Sequence, residues 1–465
     1  MSDKEAKSIK YELVPPDGGW GYMIGLGVIL NLSTIMAFIN CFGMLFKDLF
    51  IEINMDSTGV TVFSGIAASC IAISGFIAMP LQKIMSLRQL GLLAAFMFNL
   101  GTFCTVFVNT KFLFILTQGM IQGLGNGLVY NLSCTVLNNY FVKRRMLAFS
   151  LTQTIAAVFC LLSPQFVKWS IENYGSQGTL LLVSAISMHN ILGMALMQPV
   201  SWHMKKVEIL EPKQNEMKLL LTEDKKSEAN KNTYKSDKSE HDIDKNHDSQ
   251  IKKFLSHFID FSIFKSFVLS NACIGVSFSS FLDLMFTMLL PQALYSLGWS
   301  EGEVARALSL TALGDLATRI AIILLSGVLN KFGSHETYVA GLFIAFVSRI
   351  GMLWSNNNIV ILTFITIMGV SRSTITVLVP VVVADTVGQE KFTSAIGMLL
   401  MLFGIFNCTV GPVIGAIRDL TNSYSTAFYI ITSCFGVIVI SWSIELLYKR
   451  TMRNKMLKKE APFKS

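Results

Sequence analysis

Two residues of opposite charge, Asp315 and Arg319, lie four positions apart inside a long apolar stretch of the sequence. At this spacing both side chains lie on one face of a helix, where they can form an ion pair. A charged side chain at the centre of a bilayer costs about 2.5–3.5 kcal/mol on insertion scales, so such residues indicate a cavity or a pathway. A permanent salt bridge between helices is the alternative interpretation.

Three further polar residues lie in apolar stretches. An unpaired Arg372 would be costly in a membrane, so we expect it to face a cavity and to meet either an anion or Asp283. A helix-packing ion pair is the second interpretation of Arg372. Asn131 either lines the same cavity or makes an interhelical hydrogen bond. Arg349 has no partner evident in the sequence.

The composition of the 465-residue chain indicates a membrane protein. Apolar residues make up 52% and charged residues only 15%, against about 25% charged in soluble domains. The basic residues behind the net charge of +8 are scattered through short loops and the C-terminal tail, which argues against a nucleic-acid partner. The eight cysteines lie in apolar runs without a CxxC pair, so neither a metal site nor a disulfide framework is expected.

Hydropathy predicts an all-α protein with twelve membrane-spanning helices. Each apolar stretch approaches the roughly 20 residues that a spanning helix needs. The predicted stretches are 18–42, 58–81, 89–109, 112–137, 146–167, 178–199, 266–291, 305–329, 337–355, 359–384, 394–416 and 425–447. The resulting regions are an N-terminus (1–17), a six-helix half (18–199), a polar loop expected to be disordered (200–262), a second six-helix half (263–447) and a basic tail (448–465).

The distribution of basic residues predicts the orientation in the membrane. With both termini and the long loop in the cytoplasm, 30 of the 38 Lys and Arg residues fall inside and five fall outside. Because cytoplasmic loops are enriched in Lys and Arg, this orientation is favoured. The chain is therefore expected to be a multi-pass protein with both termini cytoplasmic.

Two local sequences resemble the signature motifs of the monocarboxylate transporter family. The first is VPPDGGWGYMIGLG (14–27), and the second is NNYFVKRRMLAFSLTQT (138–154). Further similarity lies in FIDFSIF (258–264), GDLATR (314–319) and ADTVGQEKFTSAIGM (384–398). The similarity spans both halves. The resemblance implies the major facilitator superfamily fold, in which two six-helix halves surround a substrate site near the midplane.

The resemblance also implies roles for the charged pair. Arg319 would clamp a substrate carboxylate, since a guanidinium makes paired charge-assisted hydrogen bonds to it. Asp315 would hold Arg319 and could accept a proton as the pair separates. No phosphate-binding glycine loop, nucleophile–base pair or cofactor motif is found, so we expect no enzyme activity and no cofactor, and transport would run on substrate or ion gradients.

The two signature motifs each allow two readings. Asp17 is expected to cap the first helix, Gly18 and Gly19 to allow close helix contact, and Trp20 to lie at headgroup level. In this first reading the motif anchors the helix at the membrane interface, and in the second it has a role in gating. Three consecutive basic residues of the second motif either obey the positive-inside rule or form a charged hinge that stabilises one access state; they are Lys143, Arg144 and Arg145.

One position departs from the family pattern. The proton-coupled lactate and pyruvate carriers have a lysine in the first helix where this chain has Asn40, which carries neither proton nor charge. This favours facilitated diffusion of a larger or zwitterionic substrate, such as an aromatic amino acid. Proton-coupled symport of lactate or pyruvate is the alternative, and Arg372 is a candidate for the missing cation.

The expected partners are a small organic anion or amino acid, protons in the symport case, the lipid bilayer and a single-pass chaperone subunit of the kind some family members use. The plasma membrane is the expected location. From another functional class, a non-transporting substrate sensor or a subunit of a larger complex remains open. A channel is disfavoured because no pore loop or repeated filter sequence is present.

Overall fold

The computed structural model describes residues 10–37, 41–55, 57–209, 267, 270–421 and 423–460. The N-terminal half contains α1 (Trp20–Ala37), α2 (Ser57–Ile84), α3 (Leu87–Thr105) and α4 (Lys111–Tyr140). Two short helices, Phe42–Leu45 and Lys47–Glu52, follow α1. The helical segment Arg145–Ser187 breaks at Gly175, where φ is 68° and ψ is −179°, giving α5 (145–174) and α6, which continues through His189–Ala195.

The C-terminal half contains the remaining six spanning helices. These are α7 (Asn271–Ser296), α8 (Glu301–Phe332), α9 (Ser334–Trp354), α10 (Asn358–Val387), α11 (Phe392–Thr421) and α12 (Tyr424–Glu460). Helix α8 begins at a capping box in which Ser300 and Glu303 satisfy each other's backbone groups. Helix α10 ends at Gly388, whose φ of 74° breaks the helix.

The helix pattern confirms the predicted all-α membrane fold. Within the described residues, ten helices are long and apolar enough to cross a membrane when α5 and α6 count as one; the described part of α1 is shorter. Two polypeptide segments differ from the prediction. Strand β1 (Lys10–Val14) of the predicted N-terminus pairs antiparallel with β2 (Lys205–Ile209), so the start of the predicted polar loop is structured. The rest of that loop, and the 258–264 motif, lie outside the described residues.

The two halves meet mainly through α2 with α11 and through α5 with α8 and α10. Glycines allow the closest approach: a Cβ added to Gly397 would lie 2.1 Å from the carbonyl oxygen of Gly75. Small residues let helix backbones pack closely inside a membrane, where lipid supplies no hydrophobic drive for helix association. This contact and the crossing of α5 over α8 bring polar side chains of the two halves together.

Candidate functional site

Asp315 and Arg319 form the predicted ion pair on α8. The Arg319 Nε donates to Asp315 Oδ2 at 2.9 Å, and the two side chains are 11% and 19% exposed. Glycines let α8 approach α10 here, because a Cβ at Gly314 would lie 2.5 Å from the Thr366 carbonyl oxygen and one at Gly369 only 2.1 Å from that of Thr311. The backbone packing of these two helices therefore positions the pair.

Arg319 also contacts both of its neighbouring helices. Its Nη2 donates to Thr376 Oγ1 on α10 at 3.2 Å, and its Nη1 donates to Gln153 Oε1 on α5 at 3.4 Å. Gln153 belongs to the N-terminal half, so the guanidinium lies where the two halves meet. Asp315 Oδ1 is buried and has no hydrogen-bond partner in the described residues. A buried carboxylate oxygen without a donor is costly, and a ligand or a proton could satisfy it.

A second charged group surrounds Asp283 on α7. Arg349 of α9 donates through Nη2 to Asp283 Oδ1 at 2.6 Å, and Arg372 of α10 places its Nε 3.7 Å from Asp283 Oδ2. The Arg349 side chain is 1% exposed and lies over the rings of Phe286 and Phe435, at 5.0 and 4.1 Å from their centroids. We call Asp283, Arg349 and Arg372 the charge triad.

The charge triad both agrees with and extends the sequence interpretation. Asp283 was one of the two partners considered for Arg372, and the structure places the two side chains within ion-pair distance. Arg349, which had no evident partner in the sequence, makes the shorter bond to the same carboxylate. The two residues are 66 positions apart on different helices. An ion pair can be predicted from sequence when its residues are three or four positions apart on one helix. The Asp283–Arg349 pair has no such spacing, so the sequence did not indicate it.

The charge triad is adjacent to the α8 ion pair. Thr376, which accepts from Arg319, donates to the backbone carbonyl of Arg372 one helical turn earlier, at 3.0 Å. Cys160, seven residues after Gln153 on the same face of α5, lies within electrostatic range of Arg319, Arg372 and Asp315. The three arginines and two carboxylates therefore form one polar region against a neutral face of the N-terminal half.

Asn131 takes part in a contact between the halves. It is fully buried, and its Nδ2 donates to the Thr393 carbonyl on α11 at 3.3 Å. One turn later on α4, the hydroxyls of Thr135 and Thr393 are 3.0 Å apart. This is the interhelical hydrogen bond considered from the sequence, formed here between halves. Asn40 lies outside the described residues.

The Asp17 carboxylate bonds to a different segment from the one predicted. Its Oδ1 accepts from the backbone N–H groups of Val142 and Lys143 at 2.8 and 2.9 Å and from that of Arg144 at 3.4 Å, so it holds the turn that leads into α5 instead of capping α1. Asp17 and Gly19 have positive φ values of 45° and 58°, which turn the chain into α1. The prediction failed because the partner N–H groups are 125 or more residues away.

The other residues of the two motifs lie around this turn. Gly18 is buried, and Trp20 stacks on His203 with ring centroids 5.1 Å apart. Arg145 Nη1 donates to Asp385 Oδ1 of α10 at 2.8 Å, and Ser334 donates to Asp385 Oδ2 at 2.5 Å. Arg145 and Asp385 join the two halves. We call this end of the bundle, formed by segments 14–19, 141–145 and 385–393, the terminal face.

The described residues contain no group of three or more His, Cys, Asp or Glu that could hold a metal ion. The polar region itself presents guanidinium, carboxylate, hydroxyl and amide groups. Guanidinium groups bind carboxylates through paired hydrogen bonds, and the two arginines beside Thr376 could do so.

Comparisons with known proteins agree with this architecture. Among solved structures, the chain is similar to the fucose transporter FucP in the outward conformation (TM-score 0.60, 15% identity, 91% of this chain and 99% of that one). It is also similar to the proton:xylose symporter XylE (TM-score 0.64, 12% identity, 92% of this chain and 95% of that one). At these identities the likeness concerns the fold.

Sequence relatives are more similar in sequence and more specific in name. Mouse monocarboxylate transporter 6 is 25% identical over 89% of this chain and 84% of its own length. Mouse monocarboxylate transporter 2 is 24% identical over 96% of this chain and 87% of its own length. A sequence model described as the Major Facilitator Superfamily matches residues 26–258 and 272–464. The chain thus belongs to the Major Facilitator Superfamily and, within it, to the monocarboxylate transporter family.

Proposed function

We propose that this solute carrier moves a carboxylate-bearing small organic solute across the membrane by alternating access, with Arg319 as the carboxylate clamp and Asp315 as its partner. The observation that carries the proposal is the set of contacts of Arg319, which touches α8, α10 and, through Gln153, the other half. A solute bound here would contact both halves, as alternating access requires.

Contacts between the halves at the terminal face support this mechanism. The Arg145–Asp385 ion pair, the Asn131–Thr393 hydrogen bond and the Gly75–Gly397 approach all join the halves. The terminal face is therefore closed in this conformation. Rocking of one half against the other would have to break the ion pair and the hydrogen bond and separate the close packing of α2 against α11.

The sequence is the basis for the orientation, the location and the type of transport that we propose. We propose that the terminal face is cytoplasmic, that both termini lie there, and that the carrier resides in the plasma membrane, where a single-pass chaperone subunit could assist it. The excess of basic residues in the loops on this side supports the orientation. We further propose facilitated diffusion in place of proton symport, since Asn40 replaces the family lysine.

Uptake of labelled lactate, pyruvate and aromatic amino acids into expressing oocytes tests the proposal. We expect at least one of these carboxylates to enter faster than in control cells, with little difference between pH 6 and pH 7.5. Strong acid stimulation of lactate uptake would instead indicate the proton symporter. Binding without any uptake would indicate a substrate sensor or complex subunit, and would contradict the carrier.

The clamp is tested by substitution at Arg319. Arg319→Ala should abolish uptake, and Arg319→Lys should recover only a small part of it, because an ammonium cannot make the paired hydrogen bonds of a guanidinium. Arg306→Ala is the matched control: Arg306 is exposed on the same helix, and its Nε donates to the Gly302 carbonyl. If Arg319→Ala reaches the surface and transports like Arg306→Ala, the clamp assignment is wrong.

A further inference from the structure

The formal charges of the polar region do not cancel. The α8 ion pair is neutral, with one carboxylate and one guanidinium. The charge triad holds one carboxylate, Asp283, between two guanidiniums. Three guanidiniums against two carboxylates leave a single positive charge among these helices. A charge at membrane depth needs a partner, and no acidic side chain among the described residues of the region remains to supply one.

The excess charge is concentrated at Arg372. Arg349 is 1% exposed, makes the shorter bond to Asp283 and lies over two aromatic rings, so it is fixed in place. Arg372 is 37% exposed and 3.7 Å from the same carboxylate, beyond hydrogen-bond distance. Its exposure arises on a helix whose neighbouring residues Ser371 and Ser373 are buried. Of the two arginines, Arg372 is the one that can turn to another anion.

A carboxylate bound to Arg319 creates a charge problem that Arg372 can solve. With Asp315 ionised, the incoming anion would share one guanidinium with an existing carboxylate. Either Asp315 takes up a proton or a second cation must be near. Arg372 lies one helical turn from Thr376, the residue that Arg319 contacts, and both arginines lie within electrostatic range of Cys160.

We propose, on the basis of the proposed function, that Arg372 supplies the positive charge that a bound proton would otherwise supply, so that the carrier is selective for organic monoanions. The substrate carboxylate binds between Arg319 and Arg372 while Asp315 and Asp283 both stay ionised. The loaded site is then electrically neutral and carries no proton. A zwitterion would leave the site at +1 and a dianion at −1, so the charge balance selects against the amino-acid substrates that Asn40 alone suggested.

The charged or titratable groups that the described residues place around Arg372 enter this balance. They come from three other helices of the C-terminal half and from α5, and they are Asp283, Asp315, Arg319, Arg349 and Cys160. Removing the positive charge of Arg372 makes the loaded site negative unless a carboxylate is protonated. Removing the negative charge of Asp315 as well makes the loaded site neutral again.

The first experiment measures uptake at pH 6 and at pH 7.5 in oocytes, using pyruvate and 3-phenylpropionate as monoanions. The wild-type ratio should be within about twofold, because no proton is carried. Arg372→Gln should become acid-stimulated by roughly tenfold to thirtyfold, because one protonation equilibrium gives up to about tenfold per pH unit and the two measurements are about 1.5 units apart. The double variant Arg372→Gln/Asp315→Asn should return to a flat profile, even if its rate is lower. Surface labelling checks that each variant reaches the membrane.

A second measurement does not depend on any variant folding. Wild-type uptake of 3-phenylpropionate should exceed that of phenylalanine and of succinate by at least about tenfold at pH 7.5, since only the first neutralises the site. Arg372→Lys, which keeps the charge, should keep the flat pH profile.

Three outcomes overturn the inference: faster uptake of phenylalanine than of 3-phenylpropionate, strong acid stimulation of the wild type, or a flat profile in a surface-expressed Arg372→Gln. If wild-type uptake of every probe equals that of control cells, the proposed function fails and this inference fails with it. If the wild type transports and Arg372→Gln keeps its profile, only the inference fails.

Discussion

Asp283 has a structural role that differs from that of either arginine around it. It is the only carboxylate that the described residues place within ion-pair distance of the deeply buried Arg349. The 2.6 Å bond and the two aromatic rings fix that guanidinium in position. They take the place of the water that would otherwise surround it. Removing one partner of a buried ion pair costs about 3–5 kcal/mol, because the other charge stays buried and uncompensated.

The two sides of this pair should therefore respond unequally to substitution. Asp283→Leu leaves two arginines without their carboxylate, whereas Arg349→Leu leaves Asp283 with Arg372 at 3.7 Å. We expect Asp283→Leu to lower the melting temperature in detergent clearly more than Arg349→Leu does. Thermal unfolding of both purified variants beside the wild type measures this. Equal shifts would show that Arg372 cannot replace Arg349 as the partner.

At the scale of elements, Asp17 connects the segment before α1 to the start of α5. Its carboxylate accepts from consecutive backbone N–H groups of residues 142–144, and its own N–H donates to the Tyr140 carbonyl at 3.2 Å. These N–H groups belong to the turn that precedes α5, and a charged acceptor makes stronger hydrogen bonds than a neutral one. The two sequence motifs are thus parts of one structure.

Substitution of Asp17 separates its hydrogen bonds from its charge. Asp17→Ala should destabilise the protein by about 1–3 kcal/mol, because three N–H groups lose a charged acceptor. Asp17→Asn keeps an acceptor oxygen and should lose less than half of that. Thermal stability in detergent distinguishes the variants. If the alanine variant is as stable as the wild type, these hydrogen bonds contribute nothing to the stability of the fold.

At the scale of the whole molecule, the terminal face is held closed by polar contacts between the halves. The Arg145 side chain is 11% exposed and that of Asp385 41% exposed, so water screens the pair in part. Ion pairs of this exposure contribute about 0.2–1 kcal/mol. A contribution of this size is small enough for the face to open during each transport cycle. It is still large enough to shift the balance between conformations.

Cross-linking can measure the balance at the terminal face. The hydroxyls of Thr135 and Thr393 are 3.0 Å apart, so the Thr135→Cys/Thr393→Cys pair should form a disulfide when the face is closed. Adding Arg145→Gln should slow cross-linking by about twofold to fivefold, the factor that such an ion pair supports. The charge reversal Arg145→Asp/Asp385→Arg should restore the rate. An unchanged rate in Arg145→Gln would mean that the pair does not hold the face closed.

The sequence by itself determined the membrane class, the two six-helix halves, the family and the α8 ion pair. Each of these depends on a local property: the length of an apolar stretch, a contiguous motif, or an i,i+4 spacing on one helix. The Asp315–Arg319 pair could be predicted because residues four positions apart lie about one turn apart on the same face of a helix.

Only the tertiary structure decided which distant residues meet. Three contacts join distant residues: the Asp283–Arg349 bond, the bonds of Asp17 to the turn before α5, and the contact of Arg319 with Gln153. The paired residues are 66, 125 or more, and 166 positions apart. Hydropathy predicts that a helix crosses the membrane but not which of its faces packs against a neighbour, since rotation is set by packing. The excess positive charge at Arg372 could be recognised only from the structure, which shows that Arg372 shares the single carboxylate of Asp283 with Arg349.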